Sequence, residues 1–584
     1  MMDSLTWKIG GEAGFGIMAA GAIFSRTLAR AGLYIATINE YPSLVRGGHN
    51  TYIVRASEKE IFSLVRPVDL LVALNQETIS RAFPVGINLH QDELSKGAGI
   101  IFDSGDKTIK APKDFRLYPL PLLKIATADG GVKLMMNNVA LGASLAVVDL
   151  PFEILAGVIS DIFASKGKEI VEHNTKVARE GFDFIKKNFA NSFAYKLKKG
   201  NAPQKLVLTG NEAIGLGAIA ADLGFAAIYP MTPINGLLHF LAGHQREGGY
   251  VYYQPEDEIA GINMAIGASF AGARSLVATS GGGFSLMVEG LSMAAMTETP
   301  LVIVMGTRPG PSTGLATWTG QGDLKFLLSA SQGDFTRVIL APGDPQECYE
   351  LTQIAFNLAD CYQTPVFLLV DKFLCESLGT IDKFQISNRV PSGRFQIDKG
   401  KLLKSIPADY KRYQITNDGV SPRALAGQTY FITNSYEHDE AGFSTENPQM
   451  IKKMVEKRGR KFALLEKEVA EPMVYGDKDA NITLVGWGST KGPAREAVSQ
   501  LITHNSKLKV NYLHLNWINP FPKEAVARIL SGAKKLIDIE GNFTGQMAGW
   551  IREQTGIEIK DKILKYDGRP FFPEDIIEGV KKYV

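Results

Sequence analysis

Apolar and polar positions fall into two kinds of run along this chain. Short apolar runs bounded by glycine or polar residues have the character of buried strands. They occur at residues 5–10, 70–74, 99–102, 205–210, 275–278, 301–305, 338–340, 365–370 and 481–486. Between them lie longer stretches with helical spacing, first at 17–31 and then across 131–190. Strand and helix in alternation predict parallel sheets covered on both faces, an α/β fold of several domains. Residues 191–204, with Lys196, Lys198 and Lys199, read as a linker. The expected division is therefore 1–190, the linker, a second α/β domain at 205–384, a connecting region at 385–470 and a third α/β domain at 471–584. The connecting region carries many prolines, lysines and arginines and one helix near 449–467.

Bulk properties narrow the function classes. Of 584 residues, 45% are hydrophobic and 21% charged, the composition of a globular protein with ample core. The 63 basic and 61 acidic residues leave a net charge of +2, which offers neither nucleic acid nor an anionic membrane a complementary surface. Residues 1–8 lack the basic-then-apolar order of a signal peptide. No apolar run approaches the ~20 residues of a membrane span, so a soluble cytoplasmic protein is expected. The three cysteines, Cys348, Cys361 and Cys375, form no Cys-x-x-Cys pair. They read as buried free thiols, neither a disulfide scaffold nor the ligands of a four-cysteine iron–sulfur cluster. The histidines lack zinc spacing, and no metal site made by this chain is expected.

Candidate chemistry concentrates between Tyr229 and Gly283. In Tyr229-Pro230-Met231-Thr232-Pro233 two prolines stiffen the loop and hold the Thr232 hydroxyl in place. A rigid connection without chemistry explains the same residues. Glu256, Asp257 and Glu258 open a helix, where free N–H groups favour carboxylates for stability alone. Gly261, Ala265, Ala268 and Gly272 follow on one stripe, which predicts a close backbone or ligand. Thr232, Ser280 and Arg308 each follow a strand candidate. In parallel sheets ligands sit beyond the C-terminal strand ends, so these three are expected to converge on one crevice. Near the N-terminus, Gly11, Gly14 and Gly16 form a turn between strand and helix. Such a turn either cradles a phosphate or packs tightly; its spacing is not the dinucleotide fingerprint. Arg46, beside Gly47 and Gly48, has a guanidinium fork suited to phosphate.

Four motifs occur in order: Tyr229-Pro230-Met231-Thr232-Pro233, Glu256-Asp257-Glu258-Ile259-Ala260, Thr279-Ser280-Gly281 and Arg308-Pro309-Gly310-Pro311-Ser312-Thr313-Gly314. Together they closely resemble the α subunit of the thiamine-diphosphate-dependent 2-oxoacid:ferredoxin oxidoreductases, in the version with a γ domain fused at the N-terminus. The resemblance covers essentially the whole chain. It implies a γ domain at 1–190, a thiamine pyrimidine-side domain at 205–384 and a transketolase C-terminal-like domain at 471–584. It also implies oxidative decarboxylation of a 2-oxoacid, with electrons passing singly to iron–sulfur clusters and then ferredoxin, and the acyl group passing to coenzyme A. By the match, Glu258 is the catalytic carboxyl at the cofactor's aminopyrimidine, with Glu256 and Asp257 as competitors. Tyr229, Pro230 and Ser280 line the thiamine side, and Thr232 and Arg308 take the substrate carboxylate. Gly11, Gly14, Gly16 and Arg46 are the candidates for coenzyme A. The Glu437-His438-Asp439-Glu440-Ala441-Gly442 element also has a counterpart in the family and reads as a structural loop.

The family's pyrophosphate-and-magnesium motif, Gly-Asp-Gly with later paired asparagines, is absent. Gly322-Asp323 is followed by Leu324, and Gly343-Asp344 by Pro345. A β subunit is therefore expected to hold the magnesium and a [4Fe-4S] cluster, in a heterodimer or a dimer of heterodimers with the active site at the α/β contact. Ile234-Asn235 and Gly282 depart from the common pattern and leave the substrate side chain open. The fused order leans toward 2-oxoglutarate, with a pyruvate or indolepyruvate type as the alternative. Two further readings remain: a non-catalytic protein that binds coenzyme A or a nucleotide, and a thiamine enzyme that moves carbon units without electrons. A pure binding module has no need of both Glu258 and Arg308, and a co-purifying cysteine-rich partner excludes the carbon-transfer enzyme.

Overall fold

The computed structural model describes residues 4–43, 48–80, 92–200, 205–381, 396–505 and 507–584. Arg46 lies outside the described residues. The chain forms two compact units: one of residues 1–208 with 377–383 and 572–574, and one of the remainder.

The first unit is built on an eight-stranded sheet. Its order is Arg116–Leu120, Leu94–Asp103, Val68–Ala73, Ser4–Glu12, His49–Ser57, Tyr34–Glu40, Gly379–Ile381 and Leu206–Leu208. Ser4–Glu12 runs parallel to Val68–Ala73 and antiparallel to His49–Ser57. The helix Ile17–Arg30 and the helices Met136–Val147, Phe152–Phe163 and Lys168–Asn188 supply the rest of its core. Met136–Val147 is buried all round and meets Lys168–Asn188 backbone to backbone. A Cβ on Gly142 would stand 1.8 Å from the Ala178 carbonyl oxygen, and one on Gly181 2.2 Å from that of Val139.

Two local expectations change here. The first strand does not stop before the glycine turn: it continues to Glu12, with Gly11 paired to Asn50, because the long partner strand offers ladder positions that far. The strand predicted at 205–210 joins this first sheet as its edge, through Gly379–Ile381, and the second unit begins at Thr209. A run of three residues carries no signal of which sheet will take it.

The second unit holds two sheets. The seven-stranded one has the order Trp517–Asn519, Val338–Leu340, Pro365–Asp371, Leu301–Thr307, Arg274–Thr279, Leu223–Ala227 and Val251–Tyr253. All of its pairs are parallel except the one made by Trp517–Asn519. The five-stranded one runs Met473–Gly476, Val510–Leu515, Ile482–Trp487, Lys535–Glu540 and Asp561–Leu564. One apolar core contains Val277, Ile303 and Phe367 from the larger sheet and Trp487, Leu513 and Met547 from the C-terminal part. Residues 471–571 and 575–584 therefore pack within the same compact unit as the larger sheet.

The described part of the connecting region is clamped to this unit by buried charge. Glu298, fully buried with φ 49°, pairs with Lys457 at 2.5 Å and Lys461 at 2.6 Å. Arg412 donates to the carbonyls of Thr297 and Glu298. Burial pushes the Glu298 carboxyl up, but the cations of Lys457, Lys461 and Arg412 outweigh it and hold it well below the usual range. The Glu437–His438 element joins the same clamp: Glu437 takes a two-pronged bond from Arg458, and the His438 ring packs on Tyr413.

Candidate functional site

Four neighbouring parallel strands of the larger sheet, Leu301–Thr307, Arg274–Thr279, Leu223–Ala227 and Val251–Tyr253, end at one edge. The motif residues lie just past those ends. After Leu223–Ala227 comes Ile228, then half-buried Tyr229 and exposed Pro230. The Thr232–Pro233 peptide is cis. The loop packs onto Gly306, where a Cβ would stand 2.8 Å from Ile234 and 2.9 Å from Pro233. The Asn211 side-chain amide donates to the Pro233 carbonyl at 2.9 Å and ties the loop to the helix Gly210–Ala220.

The three acids after Val251–Tyr253 separate by environment. Glu256 and Asp257 are exposed. Asp257 is the N-cap of the helix Glu258–Phe270, its Oδ1 accepting the Ala260 N–H at 2.7 Å. Glu258, the first helical residue, turns inward and is 4% exposed. Its Oε1 is buried with no hydrogen-bond partner among the described residues. That oxygen lies 2.5 Å from where a Cβ on Gly283 would be, and the Thr279 hydroxyl lies 2.1 Å from the same point. Gly283 is thus the space in which Glu258 and Thr279 meet. A buried carboxyl oxygen without a donor is costly, and it fits a ligand that brings an N–H.

The small-residue stripe behind Glu258 has a blander basis than expected. A Cβ on Gly261 would make only ordinary contacts, the nearest at 3.4 Å to Pro255. Gly272 lies beyond the helix end at φ 105°, as part of the turn that stops it.

Ser280 caps the helix Gly281–Met296 by position only. Its hydroxyl donates to the Met231 sulfur at 3.0 Å, which ties the strand end to the Thr232 loop. Arg308 completes the group: one Nη1–H donates to the Thr232 carbonyl at 2.9 Å. Burial lowers the Arg308 pKa, with Asp323 opposing. The expected convergence of Thr232, Ser280 and Arg308 is therefore present, through Met231 and the Thr232 carbonyl. These contacts use the Thr232 carbonyl and not its hydroxyl.

The loop from Pro309 to Asp323 is gripped by the C-terminal part of the same unit. Thr319 N–H donates to the Gly568 carbonyl at 3.0 Å, and Arg569 stacks on Trp318 at 4.0 Å. Gln321 is 2% exposed, and its amide bridges the Trp487 carbonyl at 3.0 Å and the Gly541 N–H at 2.8 Å. The sequence reading gives Thr279 and Gly283 no role of their own, although both fall in its central stretch and Thr279 in its third motif; it takes Asp323 only as part of a failed pyrophosphate motif, and it misses Asn211 and Gln321.

In the first unit, Gly16 is the left-handed N-cap of Ile17–Arg30 at φ 68°, with the Asn137 amide against it. A Cβ on Gly11 would press on Phe15, Ile17 and Leu74, so this glycine serves packing in the strand rather than in a turn. Gly14, at φ 100°, faces open space. Cys348 and Cys375 are buried and Cys361 half-buried. Among the described residues no cluster of histidine, cysteine and carboxylate side chains forms a metal site, and no helix is long and apolar enough to cross a membrane.

Comparison with known proteins gives the following likenesses. The family model described as pyruvate ferredoxin/flavodoxin oxidoreductase matches residues 6–184. The thiamine-diphosphate-binding model of the pyruvate flavodoxin/ferredoxin oxidoreductases matches 216–457, and the model of pyruvate:ferredoxin oxidoreductase core domain II matches 480–576. The alpha subunit of 2-oxoacid:ferredoxin oxidoreductase 2 from Aeropyrum pernix is 33% identical over 100% of this chain and 98% of its own. The 2-oxoglutarate synthase subunit KorA of Methanothermobacter thermautotrophicus is 33% identical over 65% of this chain and 99% of its own. A solved 2-oxoglutarate:ferredoxin oxidoreductase from Magnetococcus marinus, with 2-oxoglutarate, coenzyme A and succinyl-CoA bound, superposes with a TM-score of 0.90 at 32% identity, covering 100% of both chains.

Proposed function

The chain belongs to the 2-oxoacid:ferredoxin oxidoreductases, as an alpha-type subunit, and from that premise we propose that it carries the pyrimidine-side and substrate residues of a coenzyme-A-acylating enzyme that prefers 2-oxoglutarate. The reaction balances as 2-oxoacid, coenzyme A and two oxidised ferredoxins giving acyl-coenzyme A, carbon dioxide, two reduced ferredoxins and a proton. The observation that carries the reading is the Glu258 carboxyl: buried, without a donor on Oε1, and cradled by Gly283.

That donor set fits thiamine diphosphate, which when bound supplies the nucleophilic carbon and the electron sink for decarboxylation. With the cofactor bound, Glu258 Oε1 would share a proton with the aminopyrimidine ring, and Tyr229, Pro230 and Ser280 would shape that side of the site. Arg308 spends one donor on the Thr232 carbonyl and presents the rest of its fork to the substrate carboxylate. Thr232 completes the substrate contact. Gly14, which faces open space, and Arg46 remain the candidates for coenzyme A. Magnesium, the pyrophosphate and the [4Fe-4S] cluster are assigned to a β subunit in the cytoplasm, because this chain has neither the Gly-Asp-Gly motif nor paired cysteines. The preference for 2-oxoglutarate rests on the fused order and on the full-length likeness to the Magnetococcus enzyme.

The test is co-purification from the source cell, with iron, thiamine and 2-oxoglutarate-dependent ferredoxin reduction measured on the complex and on the chain alone. A cysteine-rich partner, with iron and activity only in the complex, is expected. Activity or stoichiometric iron in the isolated chain refutes the assignment.

A further inference from the structure

On the sheet edge opposite the motif residues stands a buried cation that no carboxylate balances. Arg337 precedes the strand Val338–Leu340, which runs parallel to Pro365–Asp371 and, through it, to Leu301–Thr307. It therefore lies at the N-terminal strand ends, whereas Thr232, Ser280 and Arg308 follow C-terminal ones. Arg337 is 7% exposed. Its Nη1 donates to the carbonyls of Leu327 at 3.0 Å and Ala330 at 2.7 Å, at the end of the helix Leu324–Ser329. The guanidinium lies over the Phe335 ring, 4.1 Å from its centroid. Capping the helix accounts for Nη1 alone: the N–H groups of Nε and Nη2 have no acceptor among the described residues. Burial pushes the Arg337 pKa down to about 10, with no acid opposing it. A buried cation without a counter-charge is costly.

The same side chain borders a cavity of about 330 Å³, which residues of the C-terminal part of the unit help to wall. That is room for on the order of ten waters. Two walls are fixed by bonds of their own: the Asn519 amide donates to the Arg337 carbonyl at 2.7 Å, and the Trp550 indole N–H to the Ile518 carbonyl at 2.9 Å. Ser329 and Ser331 add hydroxyls to the lining. Asp334 is the acid in it, exposed and not paired with Arg337. We infer that this cavity binds a small oxyanion, a carboxylate or a phosphate, on the Nε and Nη2 edge of Arg337, and that it is a site separate from the one at Arg308. That edge presents two parallel N–H groups, which match two oxygens of such an anion. The bound charge supplies the counter-ion that the fold withholds. Ser331, whose hydroxyl donates to Gln332 Oε1 at 3.1 Å, can rotate it toward the anion. The site does not depend on what Arg308 or Glu258 do.

The experiment is calorimetric titration of the purified protein, with any partner it carries, using sodium phosphate and, separately, sodium malonate at constant ionic strength. The parent is compared with Ser331→Asp and Arg337→Gln. Ser331 has φ 72°, a conformation that aspartate tolerates. Ser331→Asp therefore places a resident carboxylate in the cavity and leaves both carbonyl bonds of Arg337 intact. The parent is expected to bind at least one probe saturably at millimolar concentration, and the tighter of the two tells a phosphate site from a carboxylate site. Both variants are expected to bind it about ten- to a hundredfold more weakly, the worth of one charge-assisted hydrogen bond. Anions bound elsewhere on the protein are common to parent and variants. Crystals soaked in sodium selenate locate the ion: an anomalous peak at Arg337 Nε and Nη2 is expected in the parent and none in Ser331→Asp. Arg337→Gln also removes the helix cap, so Ser331→Asp decides the case if that variant does not fold. Equal affinity for both probes in the parent and Ser331→Asp overturns the site, as does a parent without saturable binding. Selenate in the cavity without millimolar binding in solution is an adventitious ion only and overturns it as well.

Discussion

The position of Glu258 is most sharply tested at a residue that carries no function of its own. Gly283→Ala places a methyl group 2.1 Å from the Thr279 hydroxyl and 2.5 Å from Glu258 Oε1. Ordinary non-bonded contact needs about 3.5 Å, so the carboxyl oxygen must retreat by about 1 Å. Helix propensity opposes the damage to stability: alanine gains about 1 kcal/mol over glycine inside a helix, against about 1–3 kcal/mol for overpacking. The net loss is then about 0–2 kcal/mol, and the variant folds. Activity has no such offset. A displacement of about 1 Å at a reacting group costs on the order of 100-fold in turnover. Gly267→Ala is the control, because a Cβ there meets nothing within 4 Å; it gains the propensity without the clash. The assay is kcat for ferredoxin reduction beside denaturant unfolding of each variant. If Gly283→Ala keeps turnover within about threefold of the parent, Glu258 is not the group held in that space for catalysis.

Further outcomes follow from neighbouring groups. Glu258→Gln lowers turnover about 10²–10⁴-fold and slows exchange of the thiamine C2 proton, read by NMR, whereas Glu256→Gln leaves both near the parent values; the reverse pattern moves the assignment along the helix. Lys491→Met removes the partner of Asp344 and of Glu347, the latter at 2.7 Å, and leaves a fully buried carboxylate to His514 alone among the side chains. It costs about 3–5 kcal/mol in denaturant unfolding, and a loss below about 1 kcal/mol makes that network dispensable. Asp323 has a folded-state pKa of about 6, above its ordinary 3.8. Between those values the folded chain binds more protons than the unfolded one, so this group's contribution to stability falls as pH rises. Asp323→Asn is therefore more stable than the parent by about 1–3 kcal/mol above pH ~6 and equal to it below pH ~4. Melting curves with the same difference at both pH values remove the basis for a raised pKa.

Much of the architecture was legible because strands and helices announce themselves locally. The runs at 301–305, 338–340 and 365–370 became Leu301–Thr307, Val338–Leu340 and Pro365–Asp371, and the helix near 449–467 became Pro448–Glu468. Motif order also carried the family, since each motif sits at a strand end where a parallel sheet puts its ligands. Other features depended on the tertiary structure. Glu256, Asp257 and Glu258 are equivalent as a local pattern of acids at a helix start. Packing leaves the first two in solvent and turns the third under Gly283, because Glu256 precedes the helix, Asp257 caps it with its side chain, and Glu258, its first residue, falls on the buried face. Leu206–Leu208 gave no hint of its sheet, since three residues of any extended strand pair equally well with whichever edge the folded chain brings near. Asp323 read as a broken motif. Its environment comes from Gly281, Arg308, Gln321 and Gln546, residues scattered across the second unit, and the charge state of a carboxyl is set by what surrounds it in space rather than by its neighbours along the chain.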